Sequence, residues 1–363
     1  MAASAIHLKW LNPVDIEWGV GVLRNLQDDT PFFVLADPGA ISVAQETLLR
    51  ASWAEQCLDW IWQKSAQSDV DAALEVCQQL WPLWDASPKA TLLAIGGGTT
   101  LDLAKLARFR LQDPETGPAV WRANKLPHQY HRHTLWCAPT TSGTGSEVTP
   151  WATLWDLDSE TPLKRSWSVD QGFADRALID PSLTLTCPLH LTRDTALDTL
   201  AHALESIWNH KANSLTRALA IQAAQIVLQT LPDVLNKPAD LQLRSLLSKA
   251  SLLAGLAMSQ TQTALAHALS YELTLREKIP HGQACAIWLP MTMALATSQS
   301  TQVQSDIEQI FVSKGNQPLN QLTQWLLDLG IEPRDLRSST AGQAQLQQAL
   351  LSPRGQNFIA SKS

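Results

Sequence analysis

The stretch that decides the fold is KATLLAIGGGTTLDLAKLARF, residues 89–109. A short apolar run of strand length meets three glycines, Gly96, Gly97 and Gly98, and then a helical pattern opens near Thr99. Glycine permits a tight turn and lets an anionic ligand reach the backbone. The helix start aims free N–H groups and its positive dipole end into that turn. A pyrophosphate suits such a place. The turn is neither a G-x-G-x-x-G fingerprint nor a Walker loop, since no Lys follows a glycine at the required position. A plain strand-to-helix turn is the competing reading.

Outward from it, the same rhythm repeats. PFFVLAD (31–37) reads as a buried strand ending at Asp37, and SVAQETLLRASW as a helix. HTLWCAPTTSGTGSE (133–147) reads as a strand running into a loop of glycines and hydroxyls. Strands alternating with helices predict a parallel sheet. Ligands on open α/β sheets collect beyond strand ends, so the hydroxyls of PTTSGTGSE are placed to meet phosphate, ribose or amide. An acid at the position of Asp37 can accept from a ribose and would repel a 2′-phosphate. In ADPGA it could equally be a turn cap.

After ALIDPSLTLTCP (177–188) strand-like runs disappear and apolar residues recur at helical spacing. We therefore expect an α/β domain over 1–180 and an all-helical domain over 181–363. The tail LSPRGQNFIASKS is weakly patterned and is expected to fray.

The 363 residues carry a net charge of −7, which argues against a nucleic-acid surface. No stretch reaches the roughly 18 apolar residues of a membrane span. The start, MAASAIHLKWLNP, does not read as a signal peptide. Five Cys (57, 77, 137, 187 and 285), with no C-x-x-C, fit a reduced, cytoplasmic compartment. The fifteen Trp are scattered, which suits packing rather than a repeat.

In ALDTLAHALES, Asp198 and His202 lie four apart and so share one helix face. HALSYELTLREKIPHGQA, 267–284, adds His267 and His281. Each alone could be a satisfied core residue. Together, three imidazoles and a carboxylate suit Fe(2+), Zn(2+) or another first-row divalent ion rather than calcium or magnesium. No Cys is expected beside them, which argues against a closed thiolate zinc site.

GGGTTLDLAK, APTTSGTGSEVT, ALDTLAHALES and HALSYELTLREKIPHGQA stand in the order and spacing of the iron-containing (group III) alcohol dehydrogenases, and the chain resembles that family along nearly its whole length. The resemblance implies the dehydroquinate synthase-like fold, with an N-terminal dinucleotide-binding α/β domain, a helical C-terminal domain and a metal between them. It implies Asp198, His202, His267 and His281 as metal ligands. It implies NAD(H) in preference to NADP(H), with Asp37, Gly96, Gly97, Gly98, Thr99, Asp102, Thr140, Thr141, Ser142 and Gly143 bordering the cofactor. It implies a homodimer acting on a small aldehyde or alcohol, while the net charge and the lack of a long apolar stretch argue against nucleic-acid and membrane partners.

HALESIWN and the spacing around IPHG resemble the phosphonoacetaldehyde reductase branch, whose substrate would need cations. Lys164, Arg165, Arg276 and Lys278 are expected in loops that could supply them. Many relatives carry H-x-x-x-H where this chain has Tyr271, which becomes a candidate proton donor or substrate contact. Other short-chain alcohol or polyol dehydrogenases of the fold are an alternative. Dehydroquinate synthase and glycerol dehydrogenase use fewer His or include a Glu, so the donor set here disfavours them. A non-catalytic assembly protein retaining the fold is the alternative from a different class.

Overall fold

The computed structural model describes residues 8–26, 28–53, 55–156, 163–311 and 317–362. Residues 1–7, which open the stretch read as lacking a leader, lie outside these. The chain divides into two compact units: Pro13–Thr192 with Val234–Ser248, and Arg193–Asp233 with Lys249–Ser363 and Met1–Asn12.

The first unit is α/β. Its strands are β1 (Asp15–Trp18), β2 (Phe32–Ala36), β3 (Cys57–Trp62), β4 (Thr91–Gly96), β5 (Phe109–Arg110), β6 (His131–Arg132), β7 (Leu135–Pro139), β8 (Trp151–Asp156), β9 (Leu163–Ser168) and β10 (Arg176–Ile179). Six of them form one parallel sheet in the order β1-β10-β7-β4-β2-β3. Strands β2, β4 and β7 are buried at every position. That is what a parallel sheet covered on both faces requires, and why these runs are continuously apolar. Alternate residues serve opposite faces. Phe33, Leu35, Leu92 and Ala94 join one core cluster, and Phe32, Val34, Leu93 and Ile95 join the other.

Helices α1 (Val43–Ser52), α2 (Val70–Ala86), α3 (Gly98–Ala107) and α4 (Gly117–Ala123) connect the strands. The start of α1 is set by a capping box, in which Ser42 and Gln45 satisfy each other's backbone N–H groups. Several Trp are core residues with their indole N–H bonded: Trp53 to Leu23 O, Trp81 to Ala107 O and Trp84 to Ala90 O.

Helices α5 (Leu189–Ile207), α6 (Ser214–Asn236), α7 (Leu241–Thr261), α8 (Leu265–Arg276), α9 (His281–Ala286), α10 (Leu289–Gln299), α11 (Thr301–Ile310), α12 (Pro318–Asp328) and α13 (Thr340–Leu351) follow, and α5, α6 and α7 each have residues in both units. By length and composition α6 could cross a membrane. Its polar groups have partners in the neighbouring helices: Arg217 pairs with Asp306, Gln225 donates to Gln309 O, and Leu228 O accepts from Trp325.

The expectation that the tail frays is wrong. Phe358 is fully buried, Asn357 donates to Thr263 O, and Arg354 donates to Thr263 Oγ1. One aromatic anchor and two polar ties hold a segment that has no periodicity of its own.

Candidate metal centre and nucleotide loops

In the α/β unit, β2 leads through α1 to β3 on one flank of the sheet, whereas β4 leads through α3 onward to β7 on the other. Neighbouring strands whose connections part in opposite directions make a switch point, where the crevice for a ligand opens. Asp37 follows β2, the three glycines run from the last residue of β4 to the first of α3, and Thr140 to Gly143 follow β7. The strand ends are tied together, since Asp37 N donates to Ile95 O and Thr140 N to Gly96 O.

Gly96 and Gly98 are sterically required, whereas a Cβ on Gly97 would make ordinary contact with Thr141 at 3.5 Å. A Cβ on Gly96 would stand 2.0 Å from Thr100 Oγ1, and one on Gly98 would stand 2.7 Å from Thr144 Cγ2. The two loops therefore touch, and Gly97 is the N-cap of α3. Thr99 lies in the first turn of α3, and Thr141 sits beside Gly97. Ser142 Oγ meets Ser248 Oγ at 3.2 Å. Thr140 Oγ1 is buried with no hydrogen bond. Asp37 Oδ1 accepts from Gly39 N, so Asp37 does cap its turn.

Asp102 is committed to holding these loops. Its two oxygens accept from Ser146 Oγ and Thr153 N, both at 2.7 Å. Lys105 Nζ donates to Ser146 Oγ and Trp151 O. Burial raises the Asp102 carboxyl against the pull of Lys105, and burial lowers Lys105. Lys105 and Ser146 were not foreseen, because their role depends on a contact 41 residues apart in sequence.

In the helical unit, α5 presents Asp198 and His202 one turn apart, His267 lies in the first turn of α8, and α9 begins at His281. Their donor atoms converge. Asp198 Oδ1 lies 3.5 Å from His202 Nε2, 3.4 Å from His267 Nε2 and 4.0 Å from His281 Nε2. Ligand atoms around a tetrahedral divalent ion stand about 3.3–3.5 Å apart. Asp198 Oδ1 and His267 Nε2 are buried and make no hydrogen bond. A buried carboxylate oxygen without a donor is costly, and an ion among these atoms would remove that cost. Three imidazoles and a carboxylate are donors suited to a first-row divalent ion, so the residues fit the iron or zinc that the sequence implied.

Charge agrees. Burial alone would raise the Asp198 carboxyl, but His202, His267 and His281 hold it well below the usual range. Burial opposes a proton on His267, yet Cys285, Glu205 and Asp198 raise its pKa well above the ordinary value. The cluster attracts positive charge. His281 is 29% exposed while the others are closed off, so access is from its side.

Two features of local sequence build this geometry. A Cβ on Gly282 would stand 1.8 Å from Asp194 O, so glycine after His281 is what lets α9 lie against α5. Glu205, fully buried, accepts from Ala264 N, Ala266 N and His267 N, capping the start of α8, and also from His267 Nδ1 at 2.7 Å. Sequence reasoning missed Glu205, although it lies within ALDTLAHALES and falls seven residues after Asp198, on the same helix face.

Three expectations need correction. Cys285 does lie beside the cluster, because it is four residues after His281 on α9, with its sulfur 3.9 Å from His281 Nε2. Lys164 and Arg165 are not in a loop but on β9, where Arg165 and Arg122 pair with Asp156 and Lys164 stands over the Trp155 ring. Arg276 is the last residue of α8, paired with Glu272. Of the four candidate cations only Lys278 is in a loop, with a left-handed backbone, φ 57°. Tyr271 lies one turn beyond His267, with the Arg354 guanidinium over its ring, and burial raises its hydroxyl against that cation.

A parallel sheet with tied glycine loops, in one chain with a buried His and carboxylate cluster, defines a protein of α/β-plus-helical class with a candidate metal centre. Residues 13–181 match the family model described as iron-containing alcohol dehydrogenase, and residues 192–346 match that of the Fe-containing alcohol dehydrogenase family, C-terminal. The chain belongs to the iron-containing alcohol dehydrogenase family.

It is 36% identical over 198 residues to the 1-propanol dehydrogenase PduQ of Citrobacter freundii, covering 54% of this chain and 49% of that one. It is 27% identical over 273 residues to the sulfoacetaldehyde reductase of Bilophila wadsworthia, covering 75% of this chain and 68% of that one. The fold is similar to that of the sulfoacetaldehyde reductase from Bifidobacterium kashiwanohense in complex with NAD+, with TM-score 0.84, 23% identity, and 99% and 98% of the two chains covered. The chain spans about half the length, or less, of the first curated relatives it matches.

Proposed function

We propose that this protein is a divalent-metal-dependent, NAD(H)-linked alcohol dehydrogenase that interconverts a small aldehyde and its alcohol. Asp198, His202, His267 and His281 hold the metal, Fe(2+) first, with Zn(2+) or another divalent ion as the alternative. The observation that carries this reading is the convergence of those donors on Asp198 Oδ1, with Asp198 Oδ1 and His267 Nε2 buried and unbonded. When bound, the ion supplies Lewis acidity and the nicotinamide supplies hydride.

The chain's own residues do the rest. Glu205 accepts from His267 Nδ1, so that nitrogen carries the proton and Nε2 keeps its lone pair for the ion. The Gly96–Gly98 turn and Thr140–Gly143 loop hold the pyrophosphate, and Asp37 takes the adenosine ribose in preference to a 2′-phosphate. Asp102 keeps the two loops together. Tyr271, kept protonated by burial, is the candidate hydrogen-bond donor to substrate. We further propose that the protein is a cytoplasmic homodimer; all five cysteines are free thiols, as a reduced compartment expects.

The narrower reading is an anionic two-carbon aldehyde, phosphonoacetaldehyde being the one the motifs suggest. The likeness to sulfoacetaldehyde reductase supports an anionic head. Arg165 and Arg276 are already committed to carboxylates and Lys164 stands over the Trp155 ring, which leaves Lys278 as the first cation to vary. The test is NADH consumption by iron-loaded protein, comparing kcat/KM for phosphonoacetaldehyde, sulfoacetaldehyde and propanal. Preference for propanal rejects the narrower reading alone. His267→Ala is expected to abolish turnover and metal retention while NADH still quenches protein fluorescence. Full activity in metal-stripped buffer overturns the metal assignment.

A further inference from the structure

We propose that Cys285 is a ligand of the metal centre, its sulfur giving thiophilic ions such as zinc a bond that the Asp and His donors alone do not offer. This rests on the metal-centre reading above. Cys285 follows His281 by four residues on α9, so both side chains leave the same face. Its sulfur lies 3.9 Å from His281 Nε2 and 4.0 Å from Nδ1. Ligand atoms of Asp198, His267, His281 and Cys285 all lie within 4.8 Å of one another. Around a tetrahedral zinc, sulfur and nitrogen ligands stand about 3.6 Å apart, so a small side-chain adjustment completes the set.

Two further observations point to an ion at this place. Asp198 Oδ1 and His267 Nε2, on side chains more than nine-tenths buried, face the cluster without a hydrogen bond. Cys285 itself is fully buried, so its sulfur has the donor cluster rather than solvent beside it.

The cluster thus holds five candidate donors, of two kinds. Asp198 with the three imidazoles is the borderline-to-hard set. Asp198, His267, His281 and Cys285 is the softer set, with a thiolate in place of the His202 imidazole as the fourth donor. Soft ligands select zinc over iron, so ion identity decides which set closes. Coordination replaces the S–H bond of Cys285 by a sulfur–metal bond, and the proton leaves to solvent. No electron is transferred.

Cobalt(II) reports both parts of the argument. The full-length apo-protein is loaded with cobalt(II) and its absorption recorded. Visible d–d bands report occupation of the centre, and a near-ultraviolet thiolate-to-cobalt charge-transfer band reports sulfur ligation. We expect both in the parent, and loss of the near-ultraviolet band alone in Cys285→Ser. Visible bands without the charge-transfer band in the parent overturn the sulfur ligand and leave the metal centre standing. No cobalt binding at all overturns both. X-ray absorption of the zinc-loaded parent reads the same bond without a variant, with a sulfur scatterer expected at about 2.3 Å. Zinc affinity in Cys285→Ser is expected to fall at least about tenfold, and iron(II) affinity by less. An equal fall for both ions contradicts the proposed selectivity.

Discussion

Replacing Glu205 by Gln removes one charge and changes almost no volume, yet it should affect both folding and metal binding. All four groups that meet this carboxylate are donors: one oxygen accepts from Ala264 N and His267 Nδ1, the other from Ala266 N and His267 N. Gln offers one acceptor and one NH2. Whichever way it turns, its NH2 confronts two donors. At least one hydrogen bond to a charged acceptor is lost, about 1.5–3 kcal/mol, and one buried donor is left unsatisfied, about 1–3 kcal/mol. The helical unit should lose about 3–5 kcal/mol. If the amide nitrogen faces His267, Nδ1 can keep its hydrogen bond only by accepting one, which moves the proton to Nε2 and removes the lone pair needed for the ion. Metal affinity should fall about 10–100-fold. Urea denaturation of apo-protein reads the first effect, and competition with a chelator reads the second. Asp at 205 is a second probe: it keeps the charge but is one methylene shorter, so it should not restore both sets of bonds. Native-like stability and metal affinity in Glu205→Gln would refute the role assigned to this residue.

Gly96→Ala forces a Cβ to within 2.0 Å of Thr100 Oγ1, which is itself bonded to Gln63. We expect a cost of about 1–3 kcal/mol in urea and weaker NADH binding by fluorescence titration; unchanged values would show that the turn is not tight. His133 stacks on Trp84 at 3.7 Å, and burial, with His131 and Arg108 adding to it, lowers its pKa to about 3. The unfolded imidazole takes a proton near 6.5, so this residue's contribution is present above that pH and is lost as pH falls from about 6.5 towards 3. His133→Phe should flatten that acid limb of stability, by about 1–2 kcal/mol at pH 5, and a limb as steep as the parent's would exclude His133 as its source. Phe358→Ala empties a fully buried site in the tail and should cost about 3–5 kcal/mol in chemical denaturation. An effect near zero would mean the tail is not docked in solution.

Much of the fold was legible because two periodicities are hard to confuse over long stretches. The short apolar runs at Phe32–Ala36, Thr91–Gly96 and Leu135–Pro139, each closed by a turn-forming residue, read as strands buried on both faces, and all three are. Asp198 and His202 announce a shared helix face by their spacing alone. The residues that support these sites were harder to see. Glu205 reads as a solvated acid until α8 is brought to it, and Lys105 as a surface cation until Ser146 and Trp151 close over it. Lys164 and Arg165 were misplaced because the hairpin of β8 and β9 is short and half polar, and its strand character comes from pairing rather than composition.

The sequence by itself determined the strands of the sheet centre, the glycine turns and the kinds of donor available, since these follow from spacing and backbone sterics within a few residues. Only the tertiary structure decided which donors meet. It brought Cys285 to the metal cluster through the start of α9 and packed Gly282 against Asp194. It grouped Val234–Ser248 with the α/β unit, where Ser248 meets Ser142 and Arg244 bonds Thr192 and Cys187 O. It also docked a tail with no pattern of its own through Phe358. Such contacts join residues far apart in the chain, and their energies depend on the packing of whole helices, which no short stretch of sequence encodes.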